Sequence, residues 1–323
     1  MDPRLQQILD QLGLSEIRKD AKYTAALEQQ LEYVKAQTYD IKYPDLKARK
    51  FIPIDSSVDP GAETVAYQQW DSIGMADIIA NYADDLPMVT ALTEKFSQSI
   101  EGLGQAYDYS IQDLRRSAMS GSQLEMRKAR AARRGIELRI DDIAATGYAA
   151  GQMKGFINHP NVSISAAVSD GTSARWVGGR SPPKAPADIK QDMYNAVVAV
   201  WDATLQTFSA DSIVLSTTEY GHISQTENSP LSDRTILQSF LQNNLSVRMV
   251  DFWYKLNTAD AAGTGPRMVV YKKDPEVLEL VIPQDFEQFP PQAKNLSFVV
   301  PCHARCGGVV IRYPLAMVYM DGI

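Results

Sequence analysis

From residue 122 to 147 the chain reads SQLEMRKARAARRGIELRIDDIAATG, with apolar positions Ala129, Ala132, Ile136, Ile140 and Ile143 recurring at steps of three and four. That period places them on one stripe of an α-helix, with the arginines beside it. Ser122 with Glu125 forms an S-x-x-E capping box that marks the helix start, and Gly147 supplies a left-handed stop. The pattern predicts helix over residues 123–146, about 36 Å long at 1.5 Å per residue and covered on one side only.

The flanking patterns are more varied. Residues 3–39 have helical spacing, with Leu5, Ile8, Leu9 and Leu12 before a break at Gly13 and Leu27, Leu31 and Val34 after it. The tract 43–55, YPDLKARKFIPID, is punctuated by prolines and reads as an extended arm with little to pack against itself. Strand patterns follow at 63–70 and 95–111, the second with Tyr107, Tyr109 and Ile111 on one face, and between them lie a helical patch near 74–82 and an ADDLP turn. Two long polar tracts returning on each other predict a projecting β-ribbon, which alone is marginally stable and needs a surface to lie on.

Beyond the long helix, residues 158–161 predict a turn, and Val162, Ile164, Ala166 and Val168 predict a half-buried strand. Residues 170–186 have the Gly/Pro/Ser content of a long surface loop. A second helix starts near Asp188, with Gln191 in the capping-box position, and presents Ile189, Met193, Val197, Val200, Trp201, Leu205 and Phe208. Strands at 212–216, 247–254, 268–272, 277–282 and 309–313, with a short helix at 235–242, complete an α+β chain whose sheet is largely antiparallel or mixed.

Composition narrows the class. At 323 residues, 45% hydrophobic and 22% charged, this is an ordinary globular chain of roughly two domains. A net charge of −7 and a pI of 5.1 argue against a dedicated nucleic-acid binder. No apolar run of about 18 residues occurs and the N-terminus is polar, so a cytosolic chain without a membrane partner is expected. Cys302 and Cys306 lie in a strand-like run, where residues four apart are about 13 Å from each other, beyond disulfide reach. His303 would point to the opposite face.

Chemical motifs are mostly missing. GTGPR at 263–267 lacks the lysine and hydroxyl of a phosphate loop, and no nucleophile elbow, H-E-x-x-H or C-x-x-C occurs. His159, His222 and His303 fall in separate segments and read as structural. Together with Asp251, the first two are the weak candidates an α+β enzyme would have. Asp84 with Asp85 and Asp141 with Asp142 read as solvated, although the second pair is unfavourable at a helix C-terminus unless partners outside the chain offset it. On the long helix Arg133 and Glu137 are spaced as an i,i+4 pair. Arg127, Arg130, Arg133 and Arg134, with Trp70 and Lys95 on the ribbon, are the candidate contacts to a neighbouring subunit or to DNA.

Several strings resemble one family of tailed-bacteriophage major capsid proteins: ETVAYQQWDSIGMADIIANYADDLP, YSIQDLRRSAMSG, ARRGIELRIDDIAATG, GFINHPNV and GGVVIRYPLAMVYMDGI. Their order, with the arm, ribbon, long helix and α+β body, is similar to the Hong Kong 97-type capsid fold. The resemblance implies an N-terminal arm at 1–61, an extended loop at 62–111 and a peripheral domain at 112–187 with its spine helix at 123–146. A mainly axial domain follows at 188–306, and 307–323 returns to the body. It also implies self-assembly as pentamers and hexamers into an icosahedral virion shell around double-stranded DNA, which is enclosed without sequence-specific binding. Scaffolding, decoration and portal proteins are the candidate partners, and assembly takes place in the host cytoplasm. No cofactor, metal or catalysis is expected, and the Lys–Asn–Glu trio with which some relatives crosslink finds no match. The alternatives are the shell of a bacterial nanocompartment, similar in fold but enclosing protein, and the uncharacterised α+β enzyme.

Overall fold

The computed structural model describes residues 44–73, 90–120, 124–169, 175–177, 183–229, 232–244 and 246–323. The chain divides after Asp45, and the architecture below is that of the second unit, Leu46–Ile323. The helices expected within 3–39, the helical patch near 74–82, the turn with Asp84 and Asp85, and Ser122 of the capping box lie outside the described residues.

The unit begins with a helical turn, α1 (Ala48–Phe51), and a short strand, β1 (Ile54–Asp55). Strands β2 (Thr64–Ile73) and β3 (Thr90–Ser99) pair antiparallel over their full length, Thr64 opposite Ser99 and Ile73 opposite Thr90, as the expected ribbon. The tract expected as one strand over 95–111 is broken at Ile100, which is buried and whose N–H bonds to the Glu63 carbonyl. The chain then leaves the ribbon as β4 (Glu101–Ser110) and enters another sheet, and Ile111 opens helix α2 (Ile111–Ser120) where a strand residue was expected.

The long helix, α3, is Leu124–Thr146. Ala132, Ile136, Ile140 and Ile143 are buried and Ala129 packs against the same core, so one stripe faces inward as the spacing predicts. Gly147 ends it at φ +79°, where a Cβ would collide with the Met153 carbonyl. The following chain satisfies the carbonyls left unpaired at the helix end. The Phe156 N–H bonds to the Ala144 carbonyl at 2.8 Å, the Ile157 N–H to that of Ala145 at 3.0 Å, and Asn158 Nδ2 donates to that of Thr146 at 2.9 Å. Two short strands, β5 (Gly147–Tyr148) and β6 (Met153–Lys154), pair at this corner.

Two expectations fail in the next segment. In β7 (Ser163–Ala166) the alternation is inverted: Val162 and Ala167 are buried, while Ile164 and Val168 are 55% and 57% exposed. Burial there is set by the turn before the strand and the bend after it, because β7 lies at a sheet edge. The supposed surface loop carries a fully buried Trp176. Its indole Nε1 donates to Asp192 Oδ2 at 2.8 Å, Lys184 Nζ donates to the same oxygen at 2.6 Å, and the Val168 N–H bonds to Oδ1 at 3.2 Å. The Lys184 and Asp192 side chains are each 1% exposed, so a buried ion pair with its remaining bonds filled fastens the segment from beneath.

Helix α4 (Pro186–Ala203) starts at the N-cap Ala185 with Pro186 in the first turn, so the expected Asp188–Gln191 capping box does not form. Proline there gives up no helical hydrogen bond. Ile189, Met193, Val197 and Val200 are buried, and the helix stops before Leu205, which is exposed with a φ of +48°. Strand β8 (Ser212–Leu215), helix α5 (Thr217–Gln225), the hairpin β9 (Glu227–Ser229) and β10 (Ser232–Thr235), and helix α6 (Ile236–Asn243) follow. A capping box between Thr235 and Gln238 starts α6. Next come β11 (Met249–Phe252), β12 (Arg267–Tyr271), β13 (Leu278–Val281), β14 (Gln284–Gln288) and β15 (Gln292–Lys294). The described chain closes with β16 (Ser297–Cys306), β17 (Gly308–Ile311) and β18 (Met317–Asp321).

Five strands in the order β11-β8-β12-β18-β7 form a mixed sheet, parallel at both edges and antiparallel in the middle. Its alternate residues feed two cores. Val214, Val269, Tyr271, Met317 and Tyr319 face the core that holds the α3 stripe. Ile213, Leu215, Met268, Val270, Val318 and Met320 face the core built on α4, Trp176 and α6. Strand β4 pairs with β16 along ten residues, and their inner side, including Tyr107, Tyr109, Val300 and Cys302, joins the α3 core. Cys302 and Cys306 are free and buried, and His303 lies with its Nδ1 3.2 Å from Gln284 Oε1. The third sheet, β1-β13-β17, attaches the start of the unit to the body.

Removing one partner of the buried pair leaves the other charge uncompensated. Lys184→Met is expected to destabilise unassembled subunits by roughly 3–5 kcal/mol, and adding Asp192→Leu to recover part of that loss, as read by urea unfolding.

Candidate assembly surfaces

Residues 47–52 read KARKFI, a run with no repeating period and two cationic ends. The structure makes them a clasp, and this corrects the expectation of an arm with little to pack. Phe51 and Ile52 are fully buried, and Phe51 meets the Trp253 ring at 5.7 Å. The Tyr271 hydroxyl donates to the Phe51 carbonyl at 2.8 Å. Arg49 reaches both Glu137 oxygens at 3.1 Å and Asp285 Oδ1 at 2.8 Å. Lys47 and Lys50 both bond to Asp251, and Lys47 Nζ also sits 3.3 Å from the centre of the Phe252 ring.

The clasp also explains the carboxylates near the end of α3, which are neither solvated nor dependent on outside partners. Asp141 is 2% exposed and accepts the Ala48 N–H at 3.0 Å, and Asp142 pairs with Lys255. An N–H donor and a cation within the chain thus oppose the unfavourable helix dipole. Burial raises the Asp141 pKa above its ordinary value, against that N–H bond. Burial also works against the charges of Asp251 and Asp285. It is outweighed at Asp251 by bonds from Lys50, the Phe252 N–H and Lys47, and at Asp285 chiefly by Arg49, so both carboxyls sit below the ordinary range.

The candidate arginines fall on the side of α3 away from its buried stripe. Arg127, Arg130 and Arg133 are exposed and Arg134 is half-buried. The expected Arg133–Glu137 pair is replaced: Glu137 takes Arg49, and the Arg133 guanidinium stands 5.9 Å from the centre of the Phe286 ring. On the ribbon, Trp70 pairs with Thr93 and Lys95 with Gln68, two rungs apart, and Lys95 is exposed. The ribbon's base rests on the body. Tyr67 stacks on Phe96 at 5.2 Å and donates to the Ile311 carbonyl at 3.3 Å, and Gln98 Nε2 donates to the Gly307 carbonyl at 2.6 Å.

The three residues that would serve an enzyme have separate partners. His159 is buried; burial, aided by Lys154, pushes its pKa down to about 4, and its Nδ1 accepts the Asn161 N–H. His222 is bonded to Thr226, and Asp251 belongs to the clasp. Among the described residues no group of three His, Cys, Asp or Glu could hold a metal, and no helix is long and apolar enough to cross a membrane.

Residues 74–323 match a family model described as major capsid protein. The chain belongs to the major capsid protein family. This capsid protein is therefore a structural component of a virion, and its copies assemble into a shell. Solved structures agree in fold. The capsid protein of Myoviridae phage XM1 superposes with a TM-score of 0.78 at 16% identity, covering 91% of this chain and 98% of that one. A Mycobacterium phage Ogopogo chain gives 0.60 at 11% identity, covering 91% and 98%. A virus-like particle from Pyrococcus furiosus gives 0.51 at 13% identity, covering 84% and 91%. The fold is thus the Hong Kong 97 type. No curated protein matches the capsid protein by sequence.

Because the folded pKa of Asp251 lies below its unfolded value, its contribution is complete above the ordinary carboxylate pKa near 4 and is lost as pH falls through the folded pKa. Asp141 has the opposite sign. Asp251→Asn is expected to cost roughly 1.5–3 kcal/mol at pH 7 and to flatten the loss of subunit stability between about pH 5 and pH 2, as measured by urea unfolding across that range.

Proposed function

We propose that this chain builds an icosahedral shell of pentamers and hexamers that encloses the double-stranded DNA of a tailed phage. The family supports the reading, and the ribbon carries it physically. β2 and β3 pair for ten residues each as a sheet of two strands, docked at the base alone among the described contacts. Such a ribbon is marginal by itself, and a neighbouring copy supplies the surface it lacks.

The division of labour we propose is an N-terminal arm at 1–61, an extended loop within 62–111, a peripheral domain at 112–187 around α3, an axial domain at 188–306, and a return at 307–323. The two-sided sheet and the α4 core support a separate axial body. Strand β4, paired with β16, belongs with the peripheral body, leaving β2 and β3 as the extended loop proper. The protein acts without catalysis or covalent crosslinks, assembles in the host cytoplasm, and meets scaffolding, decoration and portal proteins as partners. An acidic chain also suits a wall that must not hold its packaged polyanion.

Sedimentation and negative-stain microscopy of purified, untagged protein at moderate salt test the reading. Closed shells are expected, or pentamers and hexamers that close when scaffold is added. A stable monomer or dimer under every condition would overturn it.

A further inference from the structure

The net charge of −7 is not spread along the chain. Between Phe51 and Glu94 there are eight Asp or Glu and no Lys, Arg or His, a local charge of −8 that exceeds the whole-chain value. The ribbon and its approach therefore hold all the net negative charge, and the remainder sums to −7 − (−8) = +1. A second segment, from Arg115 to Arg139, has eight Lys or Arg against Glu125 and Glu137, a local charge of +6. Arg127, Arg130 and Arg133 are exposed there on a helix whose opposite stripe is buried, so the cations are presented from a fixed support. Met126 at the same level and Met119 on α2 are also exposed, and give the patch an apolar component.

We infer that the arginine face of α3 is the docking surface for the acidic ribbon of a second copy of this chain. The inference rests on the shell reading and adds to it which surface receives the ribbon and what holds it. A surface of one sign on one element and the opposite sign on another makes identical copies complementary head to tail, the contact from which closed rings are built. The same arrangement opposes the wrong register, because ribbon on ribbon and helix on helix place like charges together. DNA would also meet a basic helix, but the ribbon's unrelieved acidity singles out a partner already present in every copy. Lys95, the first cation after the acidic run, lies next to Glu94 and marks where it ends.

Charge exchange in the full chain tests this. Arg127→Glu with Arg130→Glu is expected to reduce shells recovered by sedimentation about tenfold, as is Asp71→Lys with Glu94→Lys. A chain carrying all four substitutions is expected to regain shells, because the attraction is restored with its signs reversed. Wild-type assembly is expected to weaken as salt rises from about 0.05 to 0.5 M. Circular dichroism and unfolding midpoints of the unassembled subunits distinguish lost docking from lost folding. Unchanged shell yield in the arginine variant would overturn the inference, and unchanged yield with reduced DNA content would assign the face to the packaged polyanion instead. Failure of the four-fold variant to regain shells, with its subunits folded, would also overturn it. If the unaltered protein formed no shells, the shell reading itself would fail, and this inference with it.

Discussion

Every residue of β8 and β12, and the first four of β18, is buried, so the central sheet has no wet face. A sheet in that position must find apolar cover on both sides, and each covering layer in this molecule is one of its two cores. The α3 core lies on one side and the α4 core on the other, with side chains one residue apart in the same strand serving different cores. The two bodies are thereby parts of one packed object. A change of volume at Val269 is felt on the α3 side and one at Val270 on the α4 side, while both move the same backbone.

The clasp repeats that coupling with charges. Within six residues it touches Glu137 and Asp141 on the long helix, Asp285 on β14, Asp251 on β11 and Tyr271 on β12. It bonds to carboxylates that would otherwise be poorly placed, and it carries Phe51 into the cluster of Trp253, Phe156 and Tyr271. The buried Lys184–Asp192 pair secures the other core in the same manner, with Trp176 as its apolar cover. In each case an irregular stretch of chain is fixed by a polar bond to a regular element.

The regular elements were the readable ones. The α3 stripe and the runs SIVLS and RMVVY have periods or lengths that only a helix or a buried strand satisfies, and they appear within a residue or two of their expected bounds. What sequence could not supply was partner choice across long separations. Glu137 is spaced for Arg133 but bonds to Arg49, 88 residues away, and Asp192 draws Trp176 and Lys184 out of a stretch whose composition says surface. Clasp residues were missed because four helical residues have no period; a basic run next to Phe-Ile and flanked by prolines was the available signal. β4 was mistaken for ribbon because pattern cannot show that its ladder partner lies nearly two hundred residues downstream. The arginine face itself was readable, since the stripe opposite it fixed its direction.

Strand order has a consequence for timing during synthesis. β18 lies inside the central sheet, between β12 and β7, and Ile323 is fully buried in the α4 core. At about 5–20 residues per second, several seconds or more pass between the emergence of β7 and that of β18. Throughout that interval β7 has no ladder to join and both cores lack a wall. A nascent chain therefore cannot present a finished subunit to its neighbours while still attached to the ribosome, and the fold keeps polysomes from becoming sites of premature shell growth.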